Sequence, residues 1–173
     1  MSEEYKGTYL CMGEVKAYEM KRGEFEKYLK SHGEVMMPIQ GTSMLPLLRQ
    51  GKDLVLIERK KENYRYKEGD VILYRRVEKK QYVLHRIIRV CADDYVLLGD
   101  NCFSKEYGIR DEDILGIMTG FVRSGRYHSV LEKRYGRYRE FMLSTIDFRC
   151  RWKKRLFSYR QQLKSVGKRW LRR

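Results

Sequence analysis

The chain has 173 residues, of which 42% are hydrophobic and 13% aromatic, with only 2 prolines and no low-complexity tract. A chain of this length hides roughly 70% of its unfolded surface and builds one ordinary domain, so wholesale disorder and collagen-like or linker-dominated classes are excluded. The net charge of +15 is uneven: residues 123–173 hold 17 Lys/Arg against 3 Asp/Glu, which leaves the first 122 residues close to neutral.

Residues 1–34 read as a mixed N-terminal segment. Met1 to Leu10 carries Glu3 and Glu4 and no apolar stretch, so no cleavable signal peptide is expected. The longest apolar runs, such as Ile114 to Met118 and Val96 to Leu98, fall far short of the ~20 residues that span a bilayer. The expected location is therefore the cytosol, free or at a membrane surface. Glu24 to Ser31 reads as a short helix stopped by Gly33. From Val35 the pattern changes to short strands and turns. Strands are expected at 35–39, 53–58, 71–75, 81–91, 95–98 and 114–122, with one helical turn at Met44 to Arg49. Turns fall at Gly41-Thr42-Ser43, Gly69-Asp70 and Gly99-Asp100-Asn101. Short strands separated by turns predict a mainly β domain over 35–123, folded as a barrel or coiled sheet.

Residues 124–173 form a basic tail. The run Arg134 to Arg139 (RYGRYR) reads as a solvated connector. Beyond it, Phe148, Trp152, Leu156, Tyr159, Leu163, Val166 and Trp170 recur at steps of three and four, which sets them on one stripe of a helix. Lys and Arg fill the positions between, and no acidic residue follows Asp147. Such a helix suits an anionic lipid interface, where each Lys/Arg contributes about 1 kcal/mol. The plainer reading packs the stripe on the protein's own body and leaves the charges in water. Nucleic acid is a weaker third partner, because no known reader motif accompanies the charge.

Cys11, Cys91, Cys102 and Cys150 are widely spaced, with no C-x-x-C pair, and the three histidines are equally scattered. Free thiols are expected, and no metal or other cofactor is implied. Three segments carry possible chemistry. Gly41 to Pro46 (GTSMLP) presents a serine at a chain reversal. His85 lies within an apolar strand. Asp100 follows Gly99 at a strand end. A serine hydroxyl needs a base before it attacks a carbonyl, histidine supplies one near neutral pH, and a carboxylate on its other nitrogen fixes the tautomer. Cys102, beside this set, reads as a buried inert thiol, and Asp53 and Asp70 as structural turn residues.

The order of these segments resembles the signal-peptidase and LexA-like superfamily of serine peptidases. The likeness runs from about Val35 to Arg123. It comprises S-M-x-P at Ser43 to Pro46, G-x-D at Gly51 to Asp53, E-G-D-V at Glu68 to Val71, H-R-I at His85 to Ile87, G-D-N at Gly99 to Asn101, and a late glycine at Gly116. The resemblance implies a coiled β catalytic fold, cleavage of a peptide bond and a small apolar substrate pocket that Met44 helps to line. Where the commoner bacterial signal peptidases and LexA-like proteins carry a lysine base, this chain has His85, so it resembles the histidine-using, endoplasmic-reticulum signal-peptidase branch. By that resemblance Ser43 is the nucleophile, His85 the general base, and the Ser43 main-chain N–H an oxyanion donor.

The chain also departs from the pattern. That branch carries its acid in a D-D pair just beyond G-D-N, and here Lys105-Glu106 stands instead. Asp100 is favoured as the acid with Glu106 beside it, and Asp111 and Asp113 are more distant candidates. Gly41 replaces the serine that often supplies an oxyanion donor, so Thr42 or main-chain groups would serve. Without a visible membrane anchor, the implied activity is a serine endopeptidase processing a leader or precursor peptide in the cytosol or at the inner membrane surface. The other reading is a non-catalytic peptidase-fold protein that docks to membrane or nucleic acid through its basic tail.

Overall fold

The computed structural model describes residues 22–62, 64–76 and 81–170, with side chains described from 25 to 159. Cys11, most of the expected N-terminal segment, and the side chains of Leu163, Val166 and Trp170 lie outside this description. Helix α1 (Arg22–His32) leads into β1 (Glu34–Pro38), β2 (Asp53–Arg59), β3 (Val71–Arg76), β4 (Gln81–Val90), β5 (Tyr95–Leu98), β6 (Glu106–Ile109), β7 (Ile114–Arg123) and β8 (Arg126–Ser129). Helices α2 (Lys133–Ser144) and α3 (Ile146–Trp170) follow. The expectation of a mainly β coiled-sheet fold with a short N-terminal helix and a basic C-terminal helix is met.

The strands form one eight-stranded antiparallel sheet in the order β1-β2-β7-β3-β4-β5-β6, with β8 paired to β7, and the sheet curls into a half-barrel. The period of two in strand side chains divides the core. In β3, Val71 and Leu73 join one apolar cluster with Val55, Ile57 and Met118, while Ile72 and Tyr74 join a second with Ile87, Tyr95 and Leu97. Helix α1 closes the first cluster through Phe25 and Leu29, which sit one turn apart on its inner face. Burying each contributes roughly 1.5–3 kcal/mol. Gly116 lets β7 approach β2 closely, because a Cβ there would strike the Glu58 carbonyl and come within 2.7 Å of the Ile57 side chain.

Three elements differ from the sequence expectation: β6 and β8 fall in stretches where no strand was expected, and the RYGRYR run is helical. Tyr135 and Met142 of α2 are buried, so this segment packs on the sheet and is not a solvated connector. Helix α3 matches the expected periodicity. Among the described residues, no helix is long and apolar enough to cross a membrane.

Candidate functional site

The loop between β1 and β2 is pinned from below. Met44, Leu47 and Leu48 enter the first core cluster, and the Leu48 N–H donates to the Met44 carbonyl at 2.9 Å. Asp53 fastens the far end. Its buried carboxylate accepts the Arg49 main-chain N–H at 2.9 Å and pairs with Arg123 of β7 at 2.7 Å. Arg123 also donates to the Leu47 carbonyl at 2.6 Å. Burial opposes the charge on Asp53, but the hydrogen bonds from Arg123 and Arg49 outweigh it and bring its pKa down to about 2. The G-x-D box thus ties the serine loop to the sheet. With three anchors sunk in the core, Ser43 is left half-buried at the lip of a cleft.

That cleft has a volume of about 1200 Å³. Ser43, His85, Cys102 and Glu106 line it together with apolar side chains that include Phe25, Met44, Val55, Leu73 and Leu84. Strand β4 delivers His85, which stands opposite Ile72 in the register with β3 and is only 4% exposed. Its Nδ1 lies 3.2 Å from Glu106 Oε1 and 3.3 Å from the Tyr74 hydroxyl. Tyr74 donates to Glu106 Oε2 at 2.7 Å, and the Arg76 guanidinium pairs with the same carboxylate. Burial and the neighbouring Glu106 push the Tyr74 phenol far up, so it keeps its proton and donates it to the carboxylate. The proton on this side of the imidazole then belongs on Nδ1, facing Glu106, which leaves Nε2 as a free acceptor.

Electrostatics keep the imidazole neutral. Burial pushes the His85 pKa below its ordinary value, the Glu106 charge pulls it back in part, and Arg76 adds to the lowering. Burial would raise Glu106, yet the hydrogen bonds from Tyr74 and Arg76 hold it below its usual range.

Gly99 brings the parts together. A Cβ at this position would lie 2.8 Å from the Ser43 carbonyl oxygen, 2.8 Å from Cys102 Sγ and 2.9 Å from His85 Nε2. The serine backbone, the free imidazole nitrogen and the G-D-N turn therefore converge on one point that only glycine leaves open. The turn is also bonded to the serine loop. The Asn101 N–H donates to the Ser43 carbonyl at 2.7 Å, and Asn101 Nδ2 donates to the Thr42 carbonyl at 3.1 Å. Among the described residues, Ser43 Oγ makes no hydrogen bond, and the Ser43 N–H has no acceptor.

Asp100 points elsewhere. Its carboxylate takes two hydrogen bonds from Arg86, at 2.8 and 2.7 Å, and a third from the Tyr138 hydroxyl at 2.9 Å. Both side chains of the Arg86–Asp100 pair are 1% exposed. The strand pleat explains the division: His85 and Arg86 are neighbours in β4 and so face opposite sides of the sheet. Of the four candidate residues, Ser43, His85 and Glu106 line one cleft, and Asp100 anchors the turn beneath it. Asp111 accepts a hydrogen bond from Tyr95, and Asp113 from the Arg110 N–H.

Several residues around the site were not singled out in the sequence. Tyr74 and Arg76 alternate along β3 and so share a face, a signal that only the strand period carries. Arg149 and Lys153 of α3 donate to the Asp100 carbonyl at 2.9 and 3.3 Å, and Lys153 also reaches Asn101 Oδ1 at 2.9 Å. The basic helix thus holds the G-D-N turn with the arc that carries Arg149 and Lys153. Among the described residues, no cluster of His, Cys, Asp and Glu is arranged to hold a metal ion.

No family model matches the chain. It is similar to the signal peptidase complex catalytic subunit SEC11 of Eremothecium gossypii, at 29% identity over 127 residues, covering 62% of this chain and 72% of that protein. This distant likeness supports a signal-peptidase-like family and a peptidase acting on a peptide or protein.

Proposed function

We propose that the chain is a serine endopeptidase of the histidine-using, signal-peptidase type, with Ser43 as nucleophile, His85 as general base and Glu106 as the group that orients it. The observation that carries this reading is the shared cleft, in which His85 Nε2 faces the serine loop while the Glu106 carboxylate stands at Nδ1. In the reaction, Ser43 Oγ attacks the scissile carbonyl as Nε2 takes the hydroxyl proton. Glu106 stabilises the imidazolium that results. The uncommitted Ser43 N–H receives the oxyanion, a contribution of ~3–4 kcal/mol when well aimed. His85 then protonates the leaving amine, and a water deprotonated by the same ring releases the acyl group from Ser43. The Ser43–His85 hydrogen bond is not closed in this structure, and such bonds commonly tighten only when substrate fills the site.

Asp100 has a different part in this reading: its side chain is consumed by Arg86 and Tyr138, and it shapes the turn. The resemblance implies small side chains before the cut in a leader or precursor peptide, and the apolar cleft beside Met44 is where they would lie. The open Ser43–His85 contact is also the one observation that favours a non-catalytic peptidase-fold protein. One experiment separates the two. Candidate precursor peptides incubated with wild type and with Ser43→Ala are read by mass spectrometry, alongside fluorophosphonate labelling. Cleavage and labelling that vanish in Ser43→Ala support the peptidase, and equal behaviour of the two proteins overturns it.

A further inference from the structure

Helix α3 turns its faces to different surroundings. Arg149 and Lys153, one turn apart, reach the G-D-N turn, and Phe157 packs on Phe103 with ring centroids 5.5 Å apart. The neighbouring arc holds Phe148, Trp152, Leu156 and Tyr159, which are exposed 65%, 61%, 42% and 59%. The described part of the stripe therefore does not pack on the body, in contrast to the plainer sequence reading. Exposed Arg151 and Arg155 flank this stripe, and no acidic residue occurs from Phe148 to the end of the sequence.

The occupant of such a face must offer negative charge at its surface and an apolar layer just beneath. A second copy of the chain offers an apolar stripe but no negative charge, since it would bring an equal set of cations against this one. Nucleic acid satisfies the cations but gives Phe148 and Leu156 no apolar medium. An anionic bilayer supplies both, and the tryptophan and tyrosine on the stripe suit the headgroup boundary. We infer that α3 lies in the plane of an anionic lipid surface with this stripe inserted. The binding does not depend on peptide cleavage. It does place the Ser43 loop close to lipid, because Arg149 and Lys153 on the adjoining arc hold the turn that binds the Ser43 carbonyl.

The test uses the full chain carrying Ser43→Ala, so that binding is read without turnover. Vesicles of phosphatidylcholine with about one-third phosphatidylglycerol are compared with pure phosphatidylcholine at physiological salt. Sedimentation with the anionic vesicles alone is expected. In a Trp170→Phe background, Trp152 is the sole tryptophan, and its emission should shift to the blue on binding. Replacing Arg151 and Arg155 by Gln should weaken partition about 30-fold. Phe148→Ser with Trp152→Ser should abolish it while the circular dichroism stays unchanged. Unshifted Trp152 emission overturns the proposal. So does wild-type partition of the Phe148/Trp152 variant, which would leave only charge attraction to any polyanion. A concentration-dependent dimer broken by the same two substitutions also overturns it.

Discussion

Two carboxylates six positions apart in the chain meet opposite surroundings. Asp100 is sealed under the sheet and spends its oxygens on Arg86 and Tyr138. Glu106 is 23% exposed at the edge of the cleft, and its oxygens meet Tyr74, Arg76 and the His85 ring. A buried, fully matched charge holds structure, whereas a carboxylate beside a neutral imidazole in a cleft can answer a change of charge during a reaction. Residue type made the two interchangeable candidates; environment separates them.

The largest effect should come from Glu106→Gln. The fold should survive, because the amide keeps the volume and an acceptor for Tyr74. Turnover should fall roughly 10³- to 10⁴-fold, as expected when the base loses the charge that fixes its tautomer. The pH dependence gives a sharper sign. Burial already lowers the His85 pKa and Glu106 offsets part of that lowering. Removing the charge should therefore move the imidazole titration, followed by nuclear magnetic resonance, to still lower pH. Movement to higher pH would break the assignment. Because the folded pKa is depressed, the neutral ring favours the folded state above the ordinary histidine value, and that stability is lost as pH falls through the folded value.

Asp100→Asn should do the reverse. It leaves the Arg86 guanidinium buried without its counter-charge, at a cost of about 3–5 kcal/mol in chemical denaturation. Any loss of activity should follow the loss of folded protein. Replacing the pair together, Arg86→Met with Asp100→Leu, should recover much of the stability, since removing both buried charges is often nearly neutral. If the double variant is no more stable than Asp100→Asn, the pair is not what holds the turn.

A smaller effect distinguishes Asp53, the other buried acid. Its folded pKa of about 2 lies below the ordinary 3.8, so its contribution is present above 3.8 and lost as pH falls through about 2. That difference amounts to about 2 kcal/mol. Asp53→Asn should flatten the acid limb of the stability curve over that window, measured by denaturant titration at stepped pH.

These contrasts also mark how far the sequence could be read. β2, β3, β4 and β7 stood out as apolar runs between turns, and each observed boundary lies within one residue of expectation. β6 did not stand out, because Glu106–Ile109 is four residues long, carries Gly108 and buries no side chain fully. The neighbours of Glu106 depend on β3 and β6 both reaching the His85 ring, a matter of sheet curl with no trace in local composition. The stripe of α3 was plain from its spacing. Its direction was not, because the acceptors that draw Arg149 and Lys153 inward are the Asp100 carbonyl and the Asn101 side chain, some fifty positions away.

Lys153 should show the smallest effect and tests the link between helix and turn. Its ammonium bonds the Asp100 carbonyl and the Asn101 side chain, and burial, with Arg149 next in size, pushes its pKa below the ordinary lysine value. Lys153→Met removes those bonds but leaves Arg149 on the same carbonyl and leaves the Asn101 N–H on Ser43. The loss should be about 1 kcal/mol, a fall of roughly 2–4 °C in Tm. A positioning role predicts more than that fall. Asn101 would hold the Ser43 loop less firmly, so kcat should drop severalfold at unchanged KM, and Lys153→Arg should restore it in part. A lowered Tm with unaltered kcat would reduce Lys153 to a fastening for the helix and leave alignment of the serine to the turn alone.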